Sequence, residues 1–193
     1  RDLSLRRPRR QARRDLVLVL GTHRIRRPRF RLATRGDAQL QMRLTAQRQD
    51  RAERLELAQL ADVISPWTPG RYRTPETAAA HAATIWQPDL AWCQEHKIDF
   101  LPVTFPGFSW HNMKPPAPLN AIPRLQGRFF WSQITAAKRA GADMLYVAMF
   151  DEVDEGTAIF KVTNSPPVGP GEGVQFATYE GLPSDHYLRL TGL

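Results

Sequence analysis

Residues 143–157 read Asp143-Met144-Leu145-Tyr146-Val147-Ala148-Met149-Phe150-Asp151-Glu152-Val153-Asp154-Glu155-Gly156-Thr157. Asp143 to Phe150 is apolar almost throughout, as expected for a strand buried on both faces of a parallel sheet. Asp151, Glu152, Asp154 and Glu155 follow directly, and that many carboxylates at one strand end are costly to crowd together. Upstream, Leu125 to Ala140 reads as a helix, with Lys138 and Arg139 in its last turn and Gly141 placed to end it. Ile98 to Phe105, β-branched and aromatic, predicts another strand. Before it, Thr74 offers an N-cap and Pro75 a first helical position for a helix to about Gln87 that restarts after Pro88 and ends near Lys97. Ala61 to Ser65 and Asp15 to Gly21 read as further strands, and Asp37 to Leu60 as a helix. Tyr187 to Leu190 reads as strand or helix, with no closing helix visible. Apolar strands alternating with helices indicate an α/β fold with a parallel sheet.

The chain has 193 residues, too few for a closed eight-fold barrel, which takes about 250. The expectation is a partial (β/α)8 barrel of the TIM type, its carboxy-terminal half, over 57–193, preceded by an atypical Arg-rich segment over 1–56. That segment holds seventeen Arg, no Lys and six acidic residues, a balance of +11, whereas the remainder carries −3. An excess of this kind can neutralise phosphates, can be a solvated arm, or can be GC-rich coding sequence read in a shifted frame. Nucleic-acid binding would rest on it alone, and it leaves the acidic strand end unexplained. No apolar run approaches the roughly 20 residues of a membrane helix, so no membrane span is expected. One cysteine, Cys93, excludes an intramolecular disulfide framework and reads as a small core residue. The sequence opens on Arg1 with no charged-then-apolar leader, so it reads as a piece of something longer, its compartment and oligomeric state open.

In parallel α/β folds reactive groups collect where strands end. Trp67 and Arg71 follow the first of the later strands, Phe108, Trp110, His111 and Asn112 the second, and the acidic run the third. Glu152 and Glu155, three positions apart, are the pair that suits general acid and base work in one pocket. Crowding raises the pKa of some members of such a cluster. The aromatic rings would stack on sugar faces, and His111 or Asn112 would hydrogen-bond hydroxyls. An acidic loop that merely faces solvent or holds a cation is the plainer reading of the spacing, and a lone His after a strand is commonly structural. No phosphate loop or dinucleotide fingerprint is present, and no metal or organic cofactor is implied.

Phe105-Pro106-Gly107-Phe108-Ser109-Trp110-His111-Asn112, Ile122-Pro123-Arg124, Gly127-Arg128-Phe129-Phe130-Trp131 and Ala148 through Thr157 together resemble the glycoside hydrolase family 71/99-like proteins, many of them labelled xylosidase or arabinosidase. The similarity runs over roughly residues 57–193. It implies a (β/α)8 barrel and a glycan or glycoside substrate. By resemblance to the family 99 endo-α-mannosidases, Glu155 would be the acid/base and Glu152 would deprotonate the sugar's own 2-hydroxyl, with Asp151 and Asp154 beside them in the substrate site. Val153 and Asp154 stand where the mannosidases carry Trp-His or a similar pair, which leaves the sugar open. A non-catalytic carbohydrate-binding barrel is the alternative.

Overall fold

The computed structural model describes residues 17–20, 32–33, 58–167 and 173–192, the first two segments as backbone only. The predicted helix over Asp37 to Leu60, except for its last three residues, and most of the Arg-rich segment therefore lie outside the described residues. Among those described are the strands β1 Val17–Leu20, β2 Leu32–Ala33, β3 Val63–Ile64, β4 Asp99–Phe100, β5 Val103–Thr104 and β6 Met144–Val147. They form two sheets, β2-β3-β4 and β1-β6-β5, and every pairing is parallel.

β4 and β5 are two halves of the single passage predicted over Ile98 to Phe105, interrupted at Pro102, which has no N–H to give a ladder. The passage also joins the sheets. Asp99 and Leu101 donate to Asp62 O and Ile64 O at 3.0 and 2.8 Å. Pro102 O and Thr104 O accept from Tyr146 N and Ala148 N at 3.0 and 2.8 Å. Alternate residues of a strand present their polar groups to opposite edges, so β3 and β6 flank one passage from its two sides. The result is a ribbon ordered β2, β3, β4/β5, β6, β1.

Side chains extend the pairing where β3 stops. Ser65 Oγ donates to Leu101 O at 2.9 Å, and Thr68 Oγ1 donates to Val103 O. Gln133, fully buried, takes the Phe105 N–H at 3.0 Å and returns a donor to Phe105 O at 2.8 Å. A buried backbone edge left open would cost about 1–3 kcal/mol per group, which explains buried polar residues here.

Helices pack against the central passage of the ribbon. α1 Pro75–His81 runs without a break through a wide π turn, Ala82–Trp86, into α2 Gln87–His96. The restart expected after Pro88 takes this form: Gln87 N bonds Ala82 O, a five-residue step, and Pro88 stands in the first turn of α2, where a missing N–H matters least. α3 Arg128–Ala140 is entered through a 3-10 turn, Leu125–Gly127. It starts later than the sequence suggested, because Leu125 and Gln126 both have φ above +50°. Gly141 ends it at φ 101°. The ambiguous last segment is helical, α4 His186–Thr191, so a closing helix exists.

Trp86, Phe105, Phe129, Phe130, Leu145 and Val147 form the centre of the core, each essentially inaccessible. Cys93 is buried with them. Burial along β6 alternates, with Leu145 and Val147 buried and Met144 and Tyr146 half-buried. The expectation of burial on both faces holds for β5 but not for β6. One face of the ribbon is covered by helices, and the other is open enough to leave Tyr146 partly exposed. No helix among the described residues is long and apolar enough to cross a membrane.

Candidate active site

Because the strands are parallel, the segments that follow β3, β5 and β6 emerge at the same end of the ribbon. After β3, Trp67 is half-buried and meets the ring of Tyr146 edge-on, with centroids 6.3 Å apart. Arg71 is exposed, and its Nε donates back to Trp67 O at 3.0 Å, so it braces its own loop.

After β5, Phe108 is buried and stacks at a tilt against Trp110, centroids 4.5 Å apart. Both ring nitrogens of His111 are engaged by backbone, Nδ1 at 2.9 Å from Ala117 O and Nε2 at 2.7 Å from Gly173 O. Asn112 Oδ1 accepts from Gln175 N at 3.0 Å, while its Nδ2 is buried without a hydrogen-bond partner among the described residues. These two residues therefore tie the post-β5 loop to residues 173–175.

After β6 the chain folds back on itself. Met149 N donates to Thr157 O at 3.2 Å and Phe160 N to Phe150 O at 2.9 Å. The tip between them is closed by Thr157 N to Glu152 O and Gly156 N to Val153 O, both 3.1 Å. On this tip Asp151, Val153 and Asp154 are exposed, whereas Glu152 and Glu155 are half-buried. Across this tight turn the two glutamates are thus less exposed than the two aspartates. Glu152 Oε1 accepts from Asp154 N at 3.0 Å, and Glu155 O accepts from Ser109 N at 2.7 Å. The second contact sutures the acidic turn to the post-β5 loop.

Arg124 was legible only as part of a motif, and it organises this region. It is 2% exposed, and its Nη2 donates to Gly156 O at 2.9 Å and Ala158 O at 2.8 Å. Its Cζ lies 4.8 Å from the Tyr179 ring centroid and 4.7 Å from that of Tyr187. Two aromatic faces thus meet the guanidinium while a single nitrogen, Nη2, holds the base of the acidic turn, and Nε and Nη1 are buried without a hydrogen-bond partner among the described residues. The signal that could have found it is a single Arg inside the apolar run Ile122-Pro123-Arg124-Leu125, far from any acidic residue in sequence.

A cavity of about 310 Å3 at this end of the ribbon is lined by Arg73, Trp110, Lys114, Ala117, Pro118 and Ala121. Neither glutamate is in its wall. No three His, Cys, Asp or Glu side chains among the described residues converge as metal ligands.

No protein-family model matches the sequence. A curated relative, the glycoprotein endo-α-1,2-mannosidase-like protein of Danio rerio, is 27% identical over 106 residues, 55% of this chain and 23% of that protein. The fold matches a solved structure of the family 99 endo-α-mannosidase of Bacteroides thetaiotaomicron with a TM-score of 0.52 and 24% identity, over 68% of this chain and 36% of the enzyme. A second structure of that enzyme, with bis-tris-propane, matches with a TM-score of 0.55 and 23% identity, over 76% and 42%. This chain is similar to the glycoside hydrolase family 99 endo-α-mannosidases. The resemblance carried by residues 105–112, 122–131 and 148–157 is therefore borne out, and the parallel α/β ribbon is shared with these enzymes. The chain spans about a quarter of the length of the curated relative and less than half that of the bacterial enzyme. Nothing in these likenesses distinguishes a xylosidase or arabinosidase.

Proposed function

We propose that residues 57–193 are the carboxy-terminal part of a (β/α)8 glycoside hydrolase, onto whose sheet edges strands β1 and β2 of the Arg-rich residues 1–56 pair. The enzyme hydrolyses glycosidic bonds, an α-mannoside or a related glycan being the substrate that the similar proteins suggest. Glu155 protonates the departing glycosidic oxygen. Glu152 takes the proton of the sugar's 2-hydroxyl, whose oxygen attacks the anomeric carbon as the bond to the leaving group breaks. Glu155, now a carboxylate, then deprotonates the water that attacks the anomeric carbon and opens the resulting three-membered ring, while the Glu152 carboxyl returns its proton to the 2-oxygen. Trp67 and Trp110 supply apolar faces for the sugar, Phe108 backs Trp110 from within the core, and Arg71, His111, Asn112, Asp151 and Asp154 lie on the rim around them.

The observation that carries this reading is the acidic turn. Of its four carboxylates the two glutamates are the half-buried ones, at a strand end where catalytic groups of parallel folds collect. The open face of β6 fits a ribbon whose opposite wall belongs to another part of the barrel. Hydrolysis of aryl α-mannosides, xylosides and arabinosides by the intact protein tests it. Glu155→Gln is expected to lower kcat by about a hundredfold or more with a poor leaving group and much less with an acidic phenol, which departs unprotonated. Equal rates for wild type and variant on every accepted glycoside would remove Glu155 from its role. Glycan affinity without turnover in the intact protein would mark a binding barrel instead.

A further inference from the structure

We infer that the cavity beside Trp110 is a subsite for an anionic sugar unit, a pyranose bearing a carboxylate or a sulfate. This rests on the glycan-binding reading and adds a substrate class to it. The cavity has an aromatic side and two cations. Arg73 Cζ lies 5.4 Å from the centroid of a Trp110 ring, and Lys114 is part of the same wall. Neither cation forms an ion pair with a carboxylate among the described residues. From Phe100 to Ala142 the sequence contains no Asp or Glu at all, against Lys114, Arg124, Arg128, Lys138 and Arg139. Cations with no carboxylate partner among the described residues, beside an indole face in a concave site of sugar size, suit a ring that stacks and an anionic substituent that pairs.

The wall is held in place before any ligand arrives. The Trp110 ring rests on Gly70, whose φ is +87° and whose missing Cβ would lie 3.0 Å from Trp110 Cζ2. Phe108 supports the other flank at 4.5 Å. Lys114 N donates to Trp110 O and Ala117 N to Lys114 O, both 2.8 Å, and His111 Nδ1 grips Ala117 O. On the other side, Arg73 N donates to Thr77 Oγ1 at 3.1 Å, just ahead of α1. Ser109, next to Trp110, donates its backbone N–H to Glu155 O, which ties the cavity's loop to the acidic turn. An anionic substituent is drawn to the Arg73–Lys114 side, which orients the chain of sugars.

The test is binding to the full chain, followed by NMR of the Trp110 indole with methyl glucuronide, methyl glucoside and inorganic sulfate as probes. Saturation by the glucuronide at about a tenfold lower concentration than by the glucoside is expected, with the difference shrinking at high salt. Arg73→Ala and Lys114→Ala, both at exposed positions, should each weaken the glucuronide about three- to fivefold and leave the glucoside unchanged. Equal affinity for both glycosides, or no saturable shift with either, overturns the proposal. So does inorganic sulfate reproducing the shift at the same concentration, since that marks an anion patch rather than a sugar site. Hydrolysis of neutral glycosides by the intact protein, lost in Glu155→Gln but kept in the two alanine variants, reports on the acid pair separately.

Discussion

Gly156 shows how little room the acidic turn has. A Cβ there would lie 3.0 Å from Ala177 Cβ and 3.4 Å from Ser109 Cβ, at a φ of +65°. Neither neighbour is a flexible side chain that can swing away, so Gly156→Ala must move backbone. It should cost roughly 1–3 kcal/mol in urea unfolding, and a loss under 0.3 kcal/mol would show that the turn has slack. Arg124 is the larger commitment. Burial holds its guanidinium below the usual arginine range, offset by the two tyrosines and Glu180, yet removing the side chain orphans Gly156 O and leaves Ala158 O only the Tyr179 hydroxyl at 3.3 Å. Two charge-assisted hydrogen bonds and two ring contacts outweigh the relief of desolvation, so Arg124→Met should destabilise by about 2–4 kcal/mol. Arg124→Lys should recover part of the stability, since one nitrogen serves both carbonyls, but not the planar contact with the two tyrosine rings. A methionine variant as stable as wild type would show that the buried charge costs as much as it contributes.

Among elements, α1 was the most legible. Thr74 is its N-cap as expected, with Thr74 Oγ1 accepting from Thr77 N at 3.2 Å and Thr77 Oγ1 accepting from Thr74 N at 2.9 Å. The reciprocal pair makes a capping box with Thr in place of the usual Glu or Gln. Thr74→Ala should lower stability by about 1 kcal/mol, read as a shift of the urea midpoint at constant slope, whereas Thr74→Ser should not. The π turn was not legible, because Pro88 announces a disturbance but not whether the helix breaks or widens. It widens because Trp86 is fully buried, so continuous packing of this face outweighs one irregular turn. The break of the central strand at Pro102 and the late start of α3 escaped the same way. Both depend on which edges and dihedrals the neighbouring elements leave available.

Over the whole molecule, all four tyrosines are shifted the same way. Burial raises Tyr72 far above the ordinary phenol, pushes Tyr179 up to about 12, and raises Tyr146 and Tyr187 as well. Burial, with Asp89 and Asp99 nearby, pushes the Cys93 thiol up to about 12. A raised pKa in the folded state means that folding keeps protons the unfolded chain releases. Stability from these groups is therefore complete below their unfolded values and falls as pH rises through the window from about 9 to 12. Absorbance titration of tyrosinate should lie above the range of the urea-unfolded chain for the entire signal, and Cys93 should resist thiol reagents until urea is added. A tyrosine fraction titrating near 10 in the folded protein would mean that part of this core is open. The sequence by itself determined the alternation of strands and helices, the caps, and the acidic strand end with its neighbouring aromatics, because these follow from local periodicity and residue chemistry. Only the tertiary structure decided that one passage joins two sheets, that the glutamates are half-buried while the aspartates are exposed, and that Arg124 grips the turn. Those depend on contacts between residues tens of positions apart, where burial and open hydrogen-bonding edges arise only once the elements have packed.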